Sequence, residues 1–186
     1  EGGETEMDKH VLEQIKDPLM HLLRNCIDHG IEPLAERKAR GKPLRGTIVL
    51  RAERRANVIV VEVSDDGTGI DLAAVREAAV RRGLLASEAA AEAGEPVLLD
   101  LIFASGLSTS TMITEVSGRG IGLDVVRKNV ENLQGRVEVQ SEQGQGTSFV
   151  LTLPFTLAST RCLLTRAGGQ PYAVPLSAVE KLIPVG

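Results

Sequence analysis

The sequence predicts an α+β domain in two layers, with helices packed on one face of a mixed sheet. Three observations carry this. Apolar residues recur every three or four positions from Val11 to Ile27 and again from Leu123 to Leu133, as amphipathic helices require. Apolar and polar residues alternate in two pairs of segments, 46–54 with 57–64 and 136–141 with 147–153. The order helix, two strands, helices, loop, helix, two strands then gives one helical layer and one sheet.

The elements follow in chain order. Residues 1–9 are acidic and glycine-bearing, a linker. Val11, Leu12 and Ile15 open the first helical face, and Asp17-Pro18 offers a cap with proline at a first helical position. Leu19, Leu22, Leu23, Cys26 and Ile27 continue the apolar face until His29-Gly30 ends it. A short charged helix is expected over 33–40. The strands 46–54 and 57–64 form a hairpin about Arg55-Ala56. Helices are expected over 71–82 and 96–103, with an Ala/Glu-rich stretch at 87–94 between them. The Ser/Thr/Gly-rich run 106–122 has little periodicity and reads as a mobile loop. A helix follows over 122–133, with Gly135 at the position expected to be left-handed. The last strand pair turns through Gln143-Gly144-Gln145-Gly146. Beyond Pro154 the texture changes to short apolar strands around Gly168-Gly169, so one domain is expected over 1–156 and the start of another over 157–186.

Composition removes several function classes. Hydrophobic residues are 42% and charged residues 25% of the 186, which suits a globular fold, and with 2% aromatics the core must rest on Leu, Val, Ile and Ala. A net charge of −4 with no long basic stretch argues against nucleic-acid binding. No run of about 18 apolar residues offers a membrane span. Cys26 and Cys162 stand far apart without a CxxC, which argues against zinc or a disulfide framework and fits a reducing, cytoplasmic setting. The chain starts without Met and stops at Gly186 in mid-pattern, as a piece of a longer polypeptide would.

Three polar clusters interrupt the pattern. His21, Arg24, Asn25, Asp28 and His29 share one helix face at spacings of three and four. Arginine and imidazoles donate to phosphate oxygens, and an Asn carbonyl ligates a hard cation such as Mg²⁺. A solvated face is the alternative, but such faces usually carry Lys and Glu, and this one has neither. Asp65-Asp66-Gly67-Thr68-Gly69-Ile70 follows a strand directly. Its glycines allow a tight turn and the close approach of a flat ligand, and its acid can accept from an exocyclic amine. A plain strand-ending turn would look similar. Gly118-Arg119-Gly120-Ile121-Gly122-Leu123-Asp124 opens a helix and frees N–H groups for an anion. It lacks the preceding strand and the GxGxxG spacing of a dinucleotide fingerprint, and no P-loop occurs.

In this order Asn25, Asp65-x-Gly67-x-Gly69, Gly118-x-Gly120-x-Gly122 and Gly144-x-Gly146-Thr147 resemble the ATP site of the GHKL superfamily. That group has the Bergerat fold and includes histidine kinases, DNA gyrase, MutL and a heat-shock chaperone. The resemblance spans roughly 8–154. It implies that Asn25 holds Mg²⁺, that Asp65 contacts the adenine amino group with support from Thr147, and that residues 106–118 form a lid over ATP. The nucleotide would further meet His21, Arg24, Asp28, His29, Gly67, Gly69, Ile70, Ser108, Thr109, Gly118, Gly120, Gly122 and Leu123. Ser110 gives the lid no charge for the γ-phosphate, whereas Ser108 and Thr109 keep hydroxyl donors.

Water-activating members carry a Glu four residues before the helix Asn; here that position is His21. The wording Asp28-His29-Gly30-Ile31-Glu32, with Phe103-Ala104-Ser105-Gly106-Leu107-Ser108-Thr109 and Val116-Ser117-Gly118-Arg119-Gly120, resembles the CheA subfamily of chemotaxis histidine kinases. This implies phosphoryl transfer from MgATP to a histidine on a separate acceptor domain, with His21, Arg24 and His29 as catalytic residues. Residues 153–158 and 169–175 resemble the junction into a CheW-like, SH3-like β module, of which about 30 residues are too few to close a barrel. The family's partners would be the acceptor domain, the adaptor and chemoreceptors, and a response regulator. The dimerisation helices are not in this sequence, so a monomer is expected. A hydrolysing GHKL ATPase and a nucleotide-binding scaffold are the alternatives.

Overall fold

The structure, a computed structural model, describes residues 2, 7, 9–107, 122–155, 162–179 and 181. Helix α1 (Lys9–Asn25) runs into a π turn (Cys26–Gly30), then α2 (Leu34–Ala39). Strands β1 (Ile48–Arg55) and β2 (Val58–Asp65) follow, then α3 (Leu72–Arg81), α4 (Ser87–Glu92) and α5 (Glu95–Leu101). Helix α6 (Leu123–Asn132) leads to β3 (Arg136–Glu142) and β4 (Gly146–Pro154). A second sheet holds β5 (Cys162–Ala167) and β6 (Gln170–Pro175).

The larger sheet has the order β1-β2-β4-β3, and each of its ladders is antiparallel. The parallel component expected of a mixed sheet is therefore absent among the described residues. The helical crossover does carry β3 parallel to β2, but β4 inserts between them and pairs antiparallel with both. The α+β, two-layer arrangement is as expected.

One sheet face is apolar. Ile59, Val61 and Val63 of β2 sit opposite Leu153, Leu151 and Phe149 of β4, and all six are buried against Val11, Ile15 and Leu22 of α1 and Val126 and Val130 of α6. Phe103 meets Phe149 edge to face at 6.3 Å, and the Arg127 guanidinium lies 4.2 Å over the Phe103 ring. A satellite cluster of Val75, Ala78, Ala79, Leu98 and Leu107 joins α3 to α5.

Four local readings are corrected. Asp17-Pro18 does not start a helix: α1 is continuous through Pro18, which is buried on the same stripe as Val11, Ile15 and Leu22. Packing of that stripe on the sheet outweighs the hydrogen bond a proline removes. Leu12 and Ile27 are not core residues, being 54% and 63% exposed. Leu12 falls off the stripe, and Ile27 lies in the π turn, where the Ile31 N–H reaches the Cys26 carbonyl five residues back and rotates the chain away from 3.6-residue periodicity. The left-handed residue after α6 is Gln134 (φ +58°), not Gly135. Gly135 is needed for space, because a Cβ there would stand 2.7 Å from the Thr152 carbonyl oxygen.

The β5–β6 hairpin turns through Gly168 and Gly169 at φ +58° and +80°, and its side chains are mostly exposed, Leu164 at 80%. The expected boundary at 156/157 falls within 156–161, outside the described residues.

Candidate functional site

Strand alternation places Asp65 on the inner face at the end of β2 and Asp66 on the outer side. In the ladders Asp65 is opposite Thr147, and Thr147 is opposite Ser141, so three polar side chains cross the sheet in a row below the apolar core. Ser141 Oγ and Thr147 Oγ1 are 3.1 Å apart, and Ser141 Oγ accepts from the Ile70 N–H at 2.8 Å. Asp65, Ile70, Phe103, Ser141 and Thr147 line a common cleft. Ser141 was not a sequence candidate; its alternation in register with the strand holding Thr147 is the signal that would have found it.

The carboxylate of Asp65 is held from its own side of the chain. Its Oδ1 accepts from the Gly67 N–H at 2.9 Å, and the buried Cys26 thiol hydrogen-bonds to it. Burial first, then the charge of Asp65, pushes the Cys26 thiol up to about 12, so the sulfur stays protonated as a donor and is no nucleophile. Gly30 leaves room for the group: a Cβ there would sit 2.9 Å from Asp65 Oδ2.

The glycines of the loop allow the tight turn the sequence suggests, with Gly69 left-handed, and they also have a further reason. A Cβ on Gly67 would lie 2.0 Å from the Gly30 carbonyl oxygen, and one on Gly69 (φ +72°) 2.3 Å from the Glu142 carbonyl oxygen. What they approach closely is the protein's own backbone. The Thr68 N–H donates to the Gly30 carbonyl at 2.9 Å, and the Gly144 N–H to the Thr68 carbonyl at 2.7 Å. The loop is thus fixed between the π turn and the β3–β4 turn.

On α1, His21 and Asn25 are half-buried, and Arg24, Asp28 and His29 are exposed. Asp28 and His29 belong to the π turn, so the single α-helical face expected for the five residues is bent at its end. His21 is electrostatically coupled to Arg24, His29 and Asp124, the second residue of α6. Burial first, then the Arg24 cation, lowers the imidazole below its ordinary range, although Asp124 pulls the other way. Asp124 also accepts from the Ser105 hydroxyl at 2.9 Å. Gly122 precedes α6 with extended backbone, and Leu123 packs against the core. The N-terminus of α6 therefore faces the polar end of α1. Ser108, Thr109, Gly118 and Gly120 lie outside the described residues.

As a cation site the described residues supply little by themselves: no group of three His, Cys, Asp or Glu stands together among them. The Asn25 carbonyl can contribute one oxygen, which suits a Mg²⁺ that keeps its other ligands from phosphate and water.

A buried ionic cluster not foreseen from the sequence supports the loop from behind. Arg37 is 1% exposed; its Nη1 donates to Glu32 Oε2 at 2.9 Å and its Nη2 to Asp66 Oδ2 at 2.8 Å. Lys42 Nζ donates to the carbonyls of Asp66 and Gly67 at 2.7 and 2.6 Å and pairs with Glu32 Oε1 at 2.9 Å. Burial works against ionisation of Glu32, but the Lys42 hydrogen bond, a backbone bond and Arg37 outweigh it and bring the carboxyl to about 2.

Residues 14–157 match the family described as histidine kinase-, DNA gyrase B-, and HSP90-like ATPase. The chain is 50% identical to the chemotaxis protein CheA of Treponema pallidum over 179 residues, which cover 96% of this chain and 22% of that protein. It is 44% identical to the CheA of Halobacterium salinarum, covering 98% of this chain and 27% of the relative. Against the sensor histidine kinase CheAY of Helicobacter pylori the identity is 44%, over 98% and 23%. The chain thus spans about a quarter of the length of these relatives.

Proposed function

The chain belongs to the histidine kinase-, DNA gyrase B- and HSP90-like ATPase family as a CheA-type ATP-binding kinase domain, and from that premise we propose that it binds MgATP and passes the γ-phosphoryl group to a histidine on a separate acceptor domain. The observation that carries this is the row Asp65–Thr147–Ser141 at the floor of the cleft, with the Asp65 carboxylate already oriented by the Gly67 N–H. A carboxylate so held is an acceptor for the adenine amino group. Gly67, Gly69 and Ile70 frame that contact, and Thr147 supports it.

The phosphate chain would run toward α1 and the N-terminus of α6. Arg24 and His29 would neutralise it, Asp28 would border it, and Asn25 would hold the Mg²⁺ bound with it. Gly122 and Leu123, with Gly118, Gly120, Ser108 and Thr109, would cover it. In the transfer the bond from the γ-phosphorus to the ADP oxygen breaks, a bond to an imidazole nitrogen of the acceptor forms, and ADP leaves. The attacking nitrogen is the unprotonated one, and the proton on the ring's other nitrogen goes to His21, whose lowered affinity for protons keeps it neutral and ready at pH 7. Catalysis is otherwise positioning and charge neutralisation.

In the whole protein the acceptor domain, a CheW-like adaptor with chemoreceptors, and a response regulator would be the partners, in the cytoplasm. No helix among the described residues is long and apolar enough to cross a membrane. The β5–β6 hairpin would begin the CheW-like module after residue 156, and the fragment itself would be monomeric. The test is transfer of labelled γ-phosphate to an added acceptor domain, alongside calorimetry with ATP. Transfer with little phosphate release is expected, and Asn25→Ala should weaken binding with Mg²⁺ present but not in chelator. Rapid phosphate release without an acceptor would instead mark a hydrolase, and no binding would remove both readings.

A further inference from the structure

Segment 31–47, between the π turn and β1, contains no residue that the nucleotide reading uses, yet it holds the most buried charge among the described residues. Arg37 directs every nitrogen inward. Nε donates to the Pro43 carbonyl at 2.8 Å, Nη1 to Glu32 and, at 3.2 Å, to the Asp66 carbonyl, and Nη2 to Asp66 Oδ2 and, at 3.5 Å, to the Arg45 carbonyl. All of these partners belong either to the segment itself or to Asp66. The other oxygen of Asp66 accepts from the Thr47 N–H at 2.9 Å, and the Asp66 N–H donates to the Thr47 carbonyl at 3.2 Å. Arg37 and Lys42 balance Glu32 and Asp66 in charge, so the cluster is neutral as a unit.

Asp66 is the neighbour of Asp65, and strand alternation sends their side chains to opposite sides. Whatever fixes Asp66 therefore fixes the backbone from which the Asp65 carboxylate is aimed. A buried ion cluster contributes little net stability compared with apolar packing, but it defines one geometry, because breaking any member leaves an uncompensated charge. The planar fork of arginine makes that geometry directional, which an ammonium group would not.

We infer that Arg37 is a positioning residue for base recognition: by holding Asp66 from outside the sheet it aims Asp65 at the exocyclic amino group of adenine. It touches no nucleotide, and its effect falls on discrimination between bases and not on phosphate binding. This rests on the ATP reading above. Consequently its loss lowers affinity for ATP while leaving a nucleotide without that amino group almost unaffected.

The experiment measures affinity of the chain for ATP and for purine riboside triphosphate, which lacks the 6-amino group, in the unmodified protein and in Arg37→Met, Asp66→Asn and Asp65→Asn. A charge-assisted hydrogen bond predicts roughly tenfold preference for ATP in the unmodified chain. That preference should vanish in Asp65→Asn and fall at least about threefold in Arg37→Met and Asp66→Asn, with purine riboside triphosphate bound as before. A purely structural role would weaken both nucleotides together, and that result overturns the inference. So does a folded variant that keeps the full preference, and in that case the ATP reading stands. If the unmodified chain does not prefer ATP, the assignment of Asp65 fails and the inference with it. Should Arg37→Met not fold, Asp66→Asn decides alone: it removes the side-chain acceptor that Arg37 Nη2 uses and keeps the one that the Thr47 N–H uses.

Discussion

The loop Asp65–Gly69 and the polar end of α1 make up the two ends of the proposed nucleotide site, and they are built in contrasting ways. Around the loop, polar groups have protein partners: Asp65 with Gly67 and Cys26, Asp66 with Thr47 and Arg37, Thr68 with Gly30 and Gly144. At the end of α1 and in the π turn, Arg24, Asp28 and His29 are exposed to solvent while Arg24 and His29 still act on their surroundings, and His21 is adjusted by the charges of Arg24 and Asp124. A rigid base pocket suits a ligand part that never changes during the reaction. An exposed polar face that carries an arginine and two imidazoles suits a phosphate chain whose charge must move. The contrast predicts that changes at the loop act through geometry and changes on α1 through charge.

The largest effect should come from filling the contact on which the loop is seated. Gly67→Ala places a Cβ 2.0 Å from the Gly30 carbonyl oxygen, where backbone must separate from backbone. Nucleotide binding should be abolished, with a stability loss of about 1–3 kcal/mol or more by overpacking. Gly144→Ala is the control: nothing lies within 4 Å of its Cβ, and only its φ of +85° resists, at about 1 kcal/mol. Calorimetry and chemical denaturation of the two variants separate seating from general loop strain; equal losses would contradict the rigid-loop argument.

These loop contacts also mark the limit of what the sequence discloses. The helices and strands and the polar face of α1 were legible, because each depends on periodicity within a short window; Thr147 beside Asp65 came only from the resemblance to the GHKL site, since the ladder joins distant segments. Burial of Arg37 was not, because its partner Asp66 is 29 residues away and the short helix carrying it reads as solvated. The π turn was equally hidden: Ile27 fits an α-helical stripe until the five-residue hydrogen bond to Cys26 turns it outward. The backbone contacts for which Gly67 and Gly69 make room were hidden for the same reason, since the surfaces they approach come from distant segments.

A smaller effect should distinguish the two ends by acid titration. Glu32 has an ordinary value of 4.5 and lies at about 2 in the fold. Its stabilisation is therefore complete above pH 4.5 and is lost as the pH falls toward 2. Asp66 is also lowered, because the Thr47 N–H and Arg37 outweigh its burial, so it acts in the same direction. Acid unfolding should therefore steepen below pH 4.5, and Glu32→Gln should flatten that limb while lowering stability near neutrality. Denaturant midpoints across pH would show it. An unchanged acid limb in Glu32→Gln would place the acid-sensitive contacts outside this cluster.

The smallest effect concerns α1, where charge alone should tell. The His21 imidazole is lowered from 6.5 by burial and by Arg24 and is raised by Asp124. Its contribution to stability is thus complete above 6.5 and lost as the pH falls through the lowered value. Proton NMR of the imidazole should give a midpoint below 6.5 in the free protein, and Asp124→Asn should shift it further down. Arg24→Gln should move it back up, because removing a cation restores affinity for the proton. If instead Asp124→Asn leaves the midpoint in place, the N-terminus of α6 does not act on His21. His21 would then be set mainly by burial, and α1 would resemble the loop in answering to packing more than to charge.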